Sequence, residues 1–206
     1  ASTGKPMIIS TGMATIAELD ETVRVAREYG CDDLILLKCT STYPSTPENT
    51  NYATIPHMRD LFSCEIGLSD HTLGVGVAVA SVALGASVIE KHFTDDNKLK
   101  GPDHKFSMTP ETWHTMVIES RRLEKSLGDG IKKVEKNEIT SFVVQRRGVY
   151  ANRKIKKNEK LKKEMIEFLR PYLKGSISPF EIENYIGKKL KKDFKEHEVI
   201  KKKWMI

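Results

Sequence analysis

The chain has 206 residues with 34 Lys or Arg and 28 Asp or Glu, and its formal net charge is +6. This length suits one large domain or two small ones. It contains no uncharged apolar run of eighteen residues, which excludes a membrane-spanning helix, and its first residues are not predicted to be a signal peptide. The three cysteines lack paired or metal-type spacing, a pattern typical of the reducing cytoplasm. We therefore expect a cytoplasmic protein without membrane contact.

The charge is distributed unevenly along the chain. Residues 1–130 carry a net charge of −6, whereas residues 131–206 carry +12. Such a step predicts two domains, at 1–130 and 146–206, joined by a polar linker at 131–145. The lysines of the basic part are scattered without interleaved aromatic residues, so we expect no nucleic acid partner. A basic module that binds an anionic polymer remains the alternative function.

The first domain is predicted to alternate strands with helices. Short apolar runs predict strands, and the Thr15–Glu18 spacing predicts a capping box at the start of the first helix. Strand, helix and strand with short connections form a parallel βαβ unit, so we expect an α/β fold. The predicted elements are strands at Lys5–Ser10, Leu34–Leu37, Glu65–Leu68 and Ser87–Ile89, with helices from Ile16 to Gly30, Tyr52–Phe62, Gly74–Leu84 and from Thr109 to about Gly128.

Two histidines follow neighbouring strands of this predicted sheet. His71 ends the segment that begins at Glu65, and His92 ends the segment that begins at Ser87. Adjacent parallel strands lie about 4.8 Å apart, so two imidazoles at their carboxyl ends can share one metal ion. Asp70 and Glu90 are candidates to orient these rings. A purely structural role for the histidines is the competing interpretation.

Other polar residues at the same predicted edge give weaker signals. Ser10, Ser41 and Ser69 each close a strand, and three hydroxyls in register can donate to a phosphate or a carboxylate. Asp103 lies in a Gly-Pro turn after the last strand, where its spacing alone favours an Asx-turn role. His104 and His114 have no such context, and we expect both at the surface.

Five sequence motifs, taken in their order along the chain, resemble those of a known protein family. The chain contains KPMIISTGMAT, LLKCTSTYP, GLSDHTLG, ALGASVIEKHFT and GPDHKFSM. In this order and spacing they closely resemble the sialic acid synthase family, which includes the synthases of N-acetylneuraminic, legionaminic and pseudaminic acids. The basic C-terminal part, with RRGVYANRKIKKNEKL, FLRP and ISPFEIENYIGKKLKKDF, is similar to the antifreeze-like (SAF) domain of that family.

The resemblance implies a (βα)8 barrel joined to a small β-rich SAF domain. It also implies condensation of phosphoenolpyruvate with an N-acetylated aminosugar aldehyde, giving a nine-carbon 2-keto sugar acid and phosphate. His71 and His92 match the two protein ligands of a divalent metal, typically Mn²⁺, with Mg²⁺ or Co²⁺ as alternatives. That ion would polarise the aldehyde oxygen as a Lewis acid.

The same resemblance assigns substrate contacts. Ser10, Ser41 and Ser69 match positions around the phosphate of phosphoenolpyruvate. Tyr43 and Asp103 match positions that contact the sugar. The LLKCTS motif favours the pseudaminic acid branch and ISPFE favours the neuraminic and legionaminic branches, so the sugar stays open.

The basic domain receives a role from the resemblance as well. Arg170, in the LRP sequence, matches an arginine that reaches the active site of the partner subunit, which implies a domain-swapped homodimer. The family usually has a glycine-rich turn after this Arg-Pro, whereas this chain reads RPYLKGSIS. We therefore expect a differently shaped loop around Arg170.

Counting strands back from His92 gives four, half of the eight that a barrel needs. The chain would thus represent the second half of the (βα)8 barrel, with four βα units. In the family, the first half carries the phosphate-binding lysine and two acidic site residues, so no catalytic residue beyond the metal ligands is predicted here. We expect a fragment of a longer synthase that is catalytically incomplete alone.

Overall fold

The computed structural model describes residues 1–206, which divide into two compact units at 1–130 and 131–206. The first unit alternates strands and helices, and the second is built mainly of short strands, bridges and 3₁₀ turns. No helix in either unit combines the length and the apolar character needed to cross a membrane.

The first unit contains every strand and helix predicted for it, with ends shifted by a few residues. The capping box of the first helix is confirmed, because the Thr15 hydroxyl accepts from the Glu18 amide and the Glu18 carboxylate accepts from the Thr15 amide. In chain order the elements are β1 (Met7–Ser10), α1 (Ile16–Glu28), β2 (Leu34–Cys39), α2 (Thr54–Phe62), β3 (Glu65–Asp70), α3 (Gly76–Ala83), β4 (Ile89–Lys91) and α4 (Pro110–Ser126).

The four strands form one parallel sheet in the order β1-β2-β3-β4. Side chains alternate between its two faces. On one face Leu34, Leu36 and Ile66 pack into a buried cluster with residues of α1 and α2. The opposite face is partly open, since Ile8 of β1 keeps 56% of its surface exposed. All strands point the same way, so their carboxyl ends share one edge.

The second unit has its own hydrophobic core. Strands β5 (Gly148–Ala151) and β6 (Ile166–Leu169) pair antiparallel, and isolated bridges continue the pairing around them. A 3₁₀ turn at Pro179–Asn184 is capped by the Ser178 side chain, which accepts from the Phe180 amide. Fully buried members of this core are Val149, Ala151, Ile155, Leu161, Ile177, Leu190 and Ile200.

The segment predicted as a polar linker contains regular structure. A 3₁₀ turn at Lys136–Glu138 leads into a short helix, α5 (Ile139–Gln145). The turn begins with a capping box in which the Glu138 carboxylate accepts from the backbone amide of Glu135 at 2.9 Å. The segment thus contains a capped turn and a short helix where its polar composition predicted only a connection.

A substitution at Gly67 of β3 tests how closely the open face of the sheet is packed. A Cβ atom there would lie 2.5 Å from Leu37 Cδ2 and 2.6 Å from the Val88 carbonyl oxygen. We expect Gly67→Ala to lower the free energy of unfolding by about 1–3 kcal/mol through overpacking, measured by urea denaturation. Gly76→Ala is the matched control, because a Cβ at Gly76 meets nothing within 4 Å. Equal stability of the two variants would contradict this packing.

Candidate active site at the carboxyl edge of the sheet

The sheet brings His71 and His92 together. Each follows directly on the end of its strand, β3 or β4, and these strands are neighbours in register, with Asp70 opposite Lys91. The two ring centroids lie 5.2 Å apart at an interplanar angle of 75°. His71 is buried, whereas the His92 side chain keeps 31% of its surface exposed. Because side chains alternate along a strand, both rings lie on the face opposite Asp70 and Lys91, which is the open face of the sheet.

A backbone carbonyl orients the His71 ring. Its Nδ1 lies 2.9 Å from the carbonyl oxygen of Thr40, which follows β2. A carbonyl only accepts hydrogen bonds, so Nδ1 carries the proton and Nε2 keeps its lone pair in the neutral ring. The backbone around the ring is held as well, because the Ser45 amide donates to the His71 carbonyl. This orientation leaves Nε2 available for a ligand.

The two predicted orienting acids have other partners. Asp70 forms an ion pair with Lys91 on the helix-covered face of the sheet, and Glu90 accepts a hydrogen bond from the Ser69 hydroxyl. Their proposed contact with the imidazoles is therefore wrong, because strand alternation turns Asp70 away and cross-strand pairing holds Glu90. The carboxylate that approaches His92 is that of Asp103, whose Oδ2 lies 3.4 Å from Nδ1.

Two aromatic rings flank the histidine pair. The Tyr43 ring centroid lies 4.2 Å from that of His71 and 5.7 Å from that of His92. The ring of Phe106 lies 5.1 Å from His92 and 6.2 Å from Tyr43. Phe106 belongs to the GPDHKFSM motif, yet its side chain was not singled out in the sequence. Only the fold of the loop after β4 brings it to the site.

That loop, residues 94–107, is ordered by its own hydrogen bonds. His104 Nδ1 lies 2.7 Å from the Thr94 hydroxyl, and the Asn97 side chain donates to the carbonyl oxygens of His104 and Ser107. The expectation of a surface His104 is wrong, because the ring is half-buried in these contacts. His114 is exposed, as expected. The loop presents Asp103 to the histidines.

The three predicted serines lie at successive levels of the sheet. Ser10 is opposite Leu37, whereas Ser69 is opposite Cys39, two residues farther toward the carboxyl edge. Ser41 follows β2 beyond Cys39. They do not form one row as predicted, because neighbouring strands are staggered. Ser10 is exposed, whereas Ser69 is buried and donates to a carboxylate.

A polar layer lies behind the histidines on the helix-covered face. The buried Lys38 ammonium donates to the Thr40 hydroxyl at 2.6 Å, and its burial lowers the pKa of Lys38. Burial raises the pKa of the Tyr52 hydroxyl, with a further increase from the Asp70 carboxylate. These polar groups lie just beneath the edge that carries the site. Their side chains point away from the open face.

Comparisons with known proteins identify the family of the chain. Residues 1–132 match the model of the NeuB family, and residues 146–203 match the SAF domain. The chain belongs to the NeuB family. Its first unit is half of a (βα)8 barrel, with four βα units, and its basic C-terminal part is a SAF domain, so the predicted fold class is confirmed.

Relatives of this NeuB family chain are longer than the chain itself. It is 44% identical to an uncharacterized protein of Methanocaldococcus jannaschii over 97% of this chain and 59% of that protein. It is 37% identical to the N,N'-diacetyllegionaminic acid synthase of Campylobacter jejuni, over 98% and 60% of the two lengths. The crystal structure of an N-acetylneuraminic acid synthetase from Leptospira borgpetersenii matches 68% of this chain and 48% of that one, with 32% identity and a TM-score of 0.62.

The donor atoms at the site fit part of a metal coordination sphere. His71 offers Nε2, and His92 lies beside it with a carboxylate next to its Nδ1. A carboxylate beside the second ring nitrogen is the usual way in which a metal-binding histidine is oriented. Within residues 1–206, no three His, Cys, Asp or Glu side chains are arranged to hold an ion by themselves. Further ligands would therefore have to be water, substrate or residues beyond this set.

Arg170 lies in the SAF unit, directly after β6. Its side chain is exposed, and its peptide bond to Pro171 is cis. Nearby, the Tyr150 hydroxyl donates to the Pro171 carbonyl oxygen at 2.7 Å. This contact ties the loop to the buried strand β5. The exposed guanidinium is thus presented from an anchored turn.

The orientation of His71 makes a direct prediction for nuclear magnetic resonance. We expect long-range ¹H–¹⁵N spectra of the neutral ring to show a protonated Nδ1 and an unprotonated Nε2 for His71. The reason is that the Thr40 carbonyl oxygen cannot donate. The exposed His114 provides a comparison in the same spectrum. An Nε2-protonated tautomer at His71 would disprove the hydrogen bond that orients this ring.

Proposed function

We propose that the chain supplies the metal-binding half of a nonulosonic acid synthase site. The single observation that supports this proposal is the pairing of the His71 and His92 rings at the carboxyl edge of the sheet, 5.2 Å apart. Active sites of α/β barrels lie at that edge. The match to the NeuB family and the names of its relatives favour this function over binding of an anionic polymer.

The proposed metal is a divalent transition ion, with Mn²⁺ or Co²⁺ preferred to Mg²⁺. Imidazole nitrogens suit transition ions, whereas Mg²⁺ takes oxygen ligands almost exclusively. His71, through Nε2, and His92 would hold the ion. When bound, it supplies Lewis-acid polarisation of the aldehyde oxygen of the sugar.

The proposed substrates are phosphoenolpyruvate and an N-acetylated aminosugar. Tyr43 and Phe106 would provide apolar walls for the sugar beside the metal ligands, and Asp103 would face it from the loop after β4. Ser10 and Ser41 would donate to the phosphate. The Ser69 hydroxyl donates a hydrogen bond to the Glu90 carboxylate at 2.7 Å, and this carboxylate would repel an anion. Ser69 would therefore donate to the phosphate only after its hydrogen bond to Glu90 is broken.

Phosphate release tests this function. We expect the protein that carries this segment to release phosphate from phosphoenolpyruvate only when Mn²⁺ and a suitable aminosugar are both present. Aminosugar precursors of neuraminic, legionaminic and pseudaminic acids form the substrate panel. We expect His71→Ala to reduce kcat/KM by at least about a thousandfold, because a metal ligand acts directly on the reacting oxygen. His114→Ala, at an exposed histidine of α4, is the matched control.

Two results would contradict the proposal. One is the absence of phosphate release with every sugar of the panel in a protein that contains a complete barrel. The other is full activity of the His71→Ala variant. We expect residues 1–206 alone to show no turnover, because four strands with two open edges enclose only half of a barrel site.

The SAF unit is proposed to act on the sugar through Arg170 within a homodimer. We expect Arg170→Ala to lower kcat/KM for the sugar by about 10–100-fold, as for loss of a hydrogen bond from a charged group. Half-maximal activation by Mn²⁺ should not change, since Arg170 is not a metal ligand. Lys174→Ala removes an exposed positive charge four residues away and is the control. An equal decrease of kcat/KM in both variants would indicate that the positive charge of the domain matters, and not a specific contact of Arg170 with the sugar.

A further inference from the structure

A buried ion pair lies directly behind the two histidines. Asp70 precedes His71 and Lys91 precedes His92 in the sequence. The Lys91 Nζ lies 2.6 Å from Asp70 Oδ2, and the two side chains keep only 2% and 1% of their surfaces exposed. By contrast, the Arg24 and Glu28 side chains of an ion pair on α1 are 58% and 59% exposed. A fully desolvated pair at this position calls for a specific role.

The Lys91 ammonium contacts the chain on both sides of His71. Besides Asp70, it donates to the carbonyl oxygen of Thr72 at 2.7 Å. Asp70 Oδ1 in turn accepts from the Thr72 amide at 2.9 Å. Residues 70 and 72 are thereby fixed to one another and to the end of β4. The backbone that carries the His71 ring has little freedom left.

The ion pair also fixes the relative height of the two rings. Asp70 and Lys91 are register partners across β3 and β4, and each is followed at once by a histidine. A shift of one residue between the strands would turn the side chains of one strand to the other face. Such a shift would separate the Asp70 carboxylate from the Lys91 ammonium inside a dry layer, where an unpaired charge is strongly disfavoured. The helix-covered face thus specifies the geometry of the open face.

We propose that Asp70 and Lys91 are positioning residues for the imidazole pair, holding His71 and His92 at the separation that a shared metal ion requires. They do not touch the substrate or the ion. This inference rests on the proposed metal site. It goes beyond that site because it attributes the relative position of the two rings to a pair of side chains on the opposite face of the sheet.

The test uses the whole chain, residues 1–206, with Mn²⁺ as a paramagnetic probe. The chain has six histidines, and Mn²⁺ bound at the site should broaden the side-chain signals of His71 and His92 before those of His57 and His114. In Asp70→Asn/Lys91→Met, which removes both charges and leaves side chains of similar size, we expect a folded protein. Selective broadening should then need about 10–100-fold more Mn²⁺, the usual effect of losing residues that support metal ligands.

Val23→Ala is the matched control for stability. It shortens a buried side chain of α1, far along the chain from the histidines, so it should destabilise the unit without changing the Mn²⁺ concentration for broadening. If the double variant does not fold, Asp70→Glu replaces it. This variant keeps the charge but displaces the carboxylate by one methylene, and we expect about tenfold weaker Mn²⁺ binding in the folded protein.

The outcomes separate the two claims. If Mn²⁺ does not broaden His71 and His92 selectively in the unmodified chain, the proposed metal site fails. If it does, and the folded double variant or Asp70→Glu binds Mn²⁺ as tightly as the unmodified chain, the positioning role is overturned. Equal weakening in Val23→Ala would also overturn it, because loss of stability alone would then explain the effect.

Discussion

The parallel pairing of β3 with β4 is the constraint on which the rest of the site depends. It places the ends of two strands side by side at one edge, so that residues distant in sequence become neighbours above the sheet. On the open face the pairing brings two imidazole rings together, and on the covered face it joins Asp70 to Lys91. Because side chains alternate along a strand, these contacts form at adjacent residues without competing for space.

The covered face of the sheet contributes most of its apolar packing, and the open face carries the candidate site residues. The covered face carries an apolar cluster between the strands and the helices α1 and α2, with a polar layer near the carboxyl edge. The open face carries the small residue Gly67, the serines and the histidines. The buried polar groups of the open face are hydrogen-bonded, Ser69 to Glu90 and His71 to the Thr40 carbonyl oxygen, which offsets the cost of burying them. The loops after β2 and β4 complete this face with Tyr43, Asp103 and Phe106.

Much of the architecture was predictable because it is encoded by local patterns. Apolar runs and the Thr15–Glu18 capping box predict the order and type of every strand and α-helix in the first unit. The motifs identified the family, which the matched models confirm. Structure that the local patterns did not predict lies where local rules are silent. Residues 139–145 of the predicted linker form the helix α5, and the Thr94 hydroxyl holds His104 in the loop after β4.

By itself, the sequence determined the α/β class, the strand order of the βαβ units and the identity of the two histidines at the sheet edge, because these follow from periodicity and chain direction. Only the tertiary structure decided which groups orient those rings. Thr40 and Asp103 approach them, whereas Asp70 and Glu90 are held elsewhere. The reason is geometric: a residue's neighbour in sequence faces the opposite side of a strand, so its partners come from other strands and loops, whose positions no local pattern specifies.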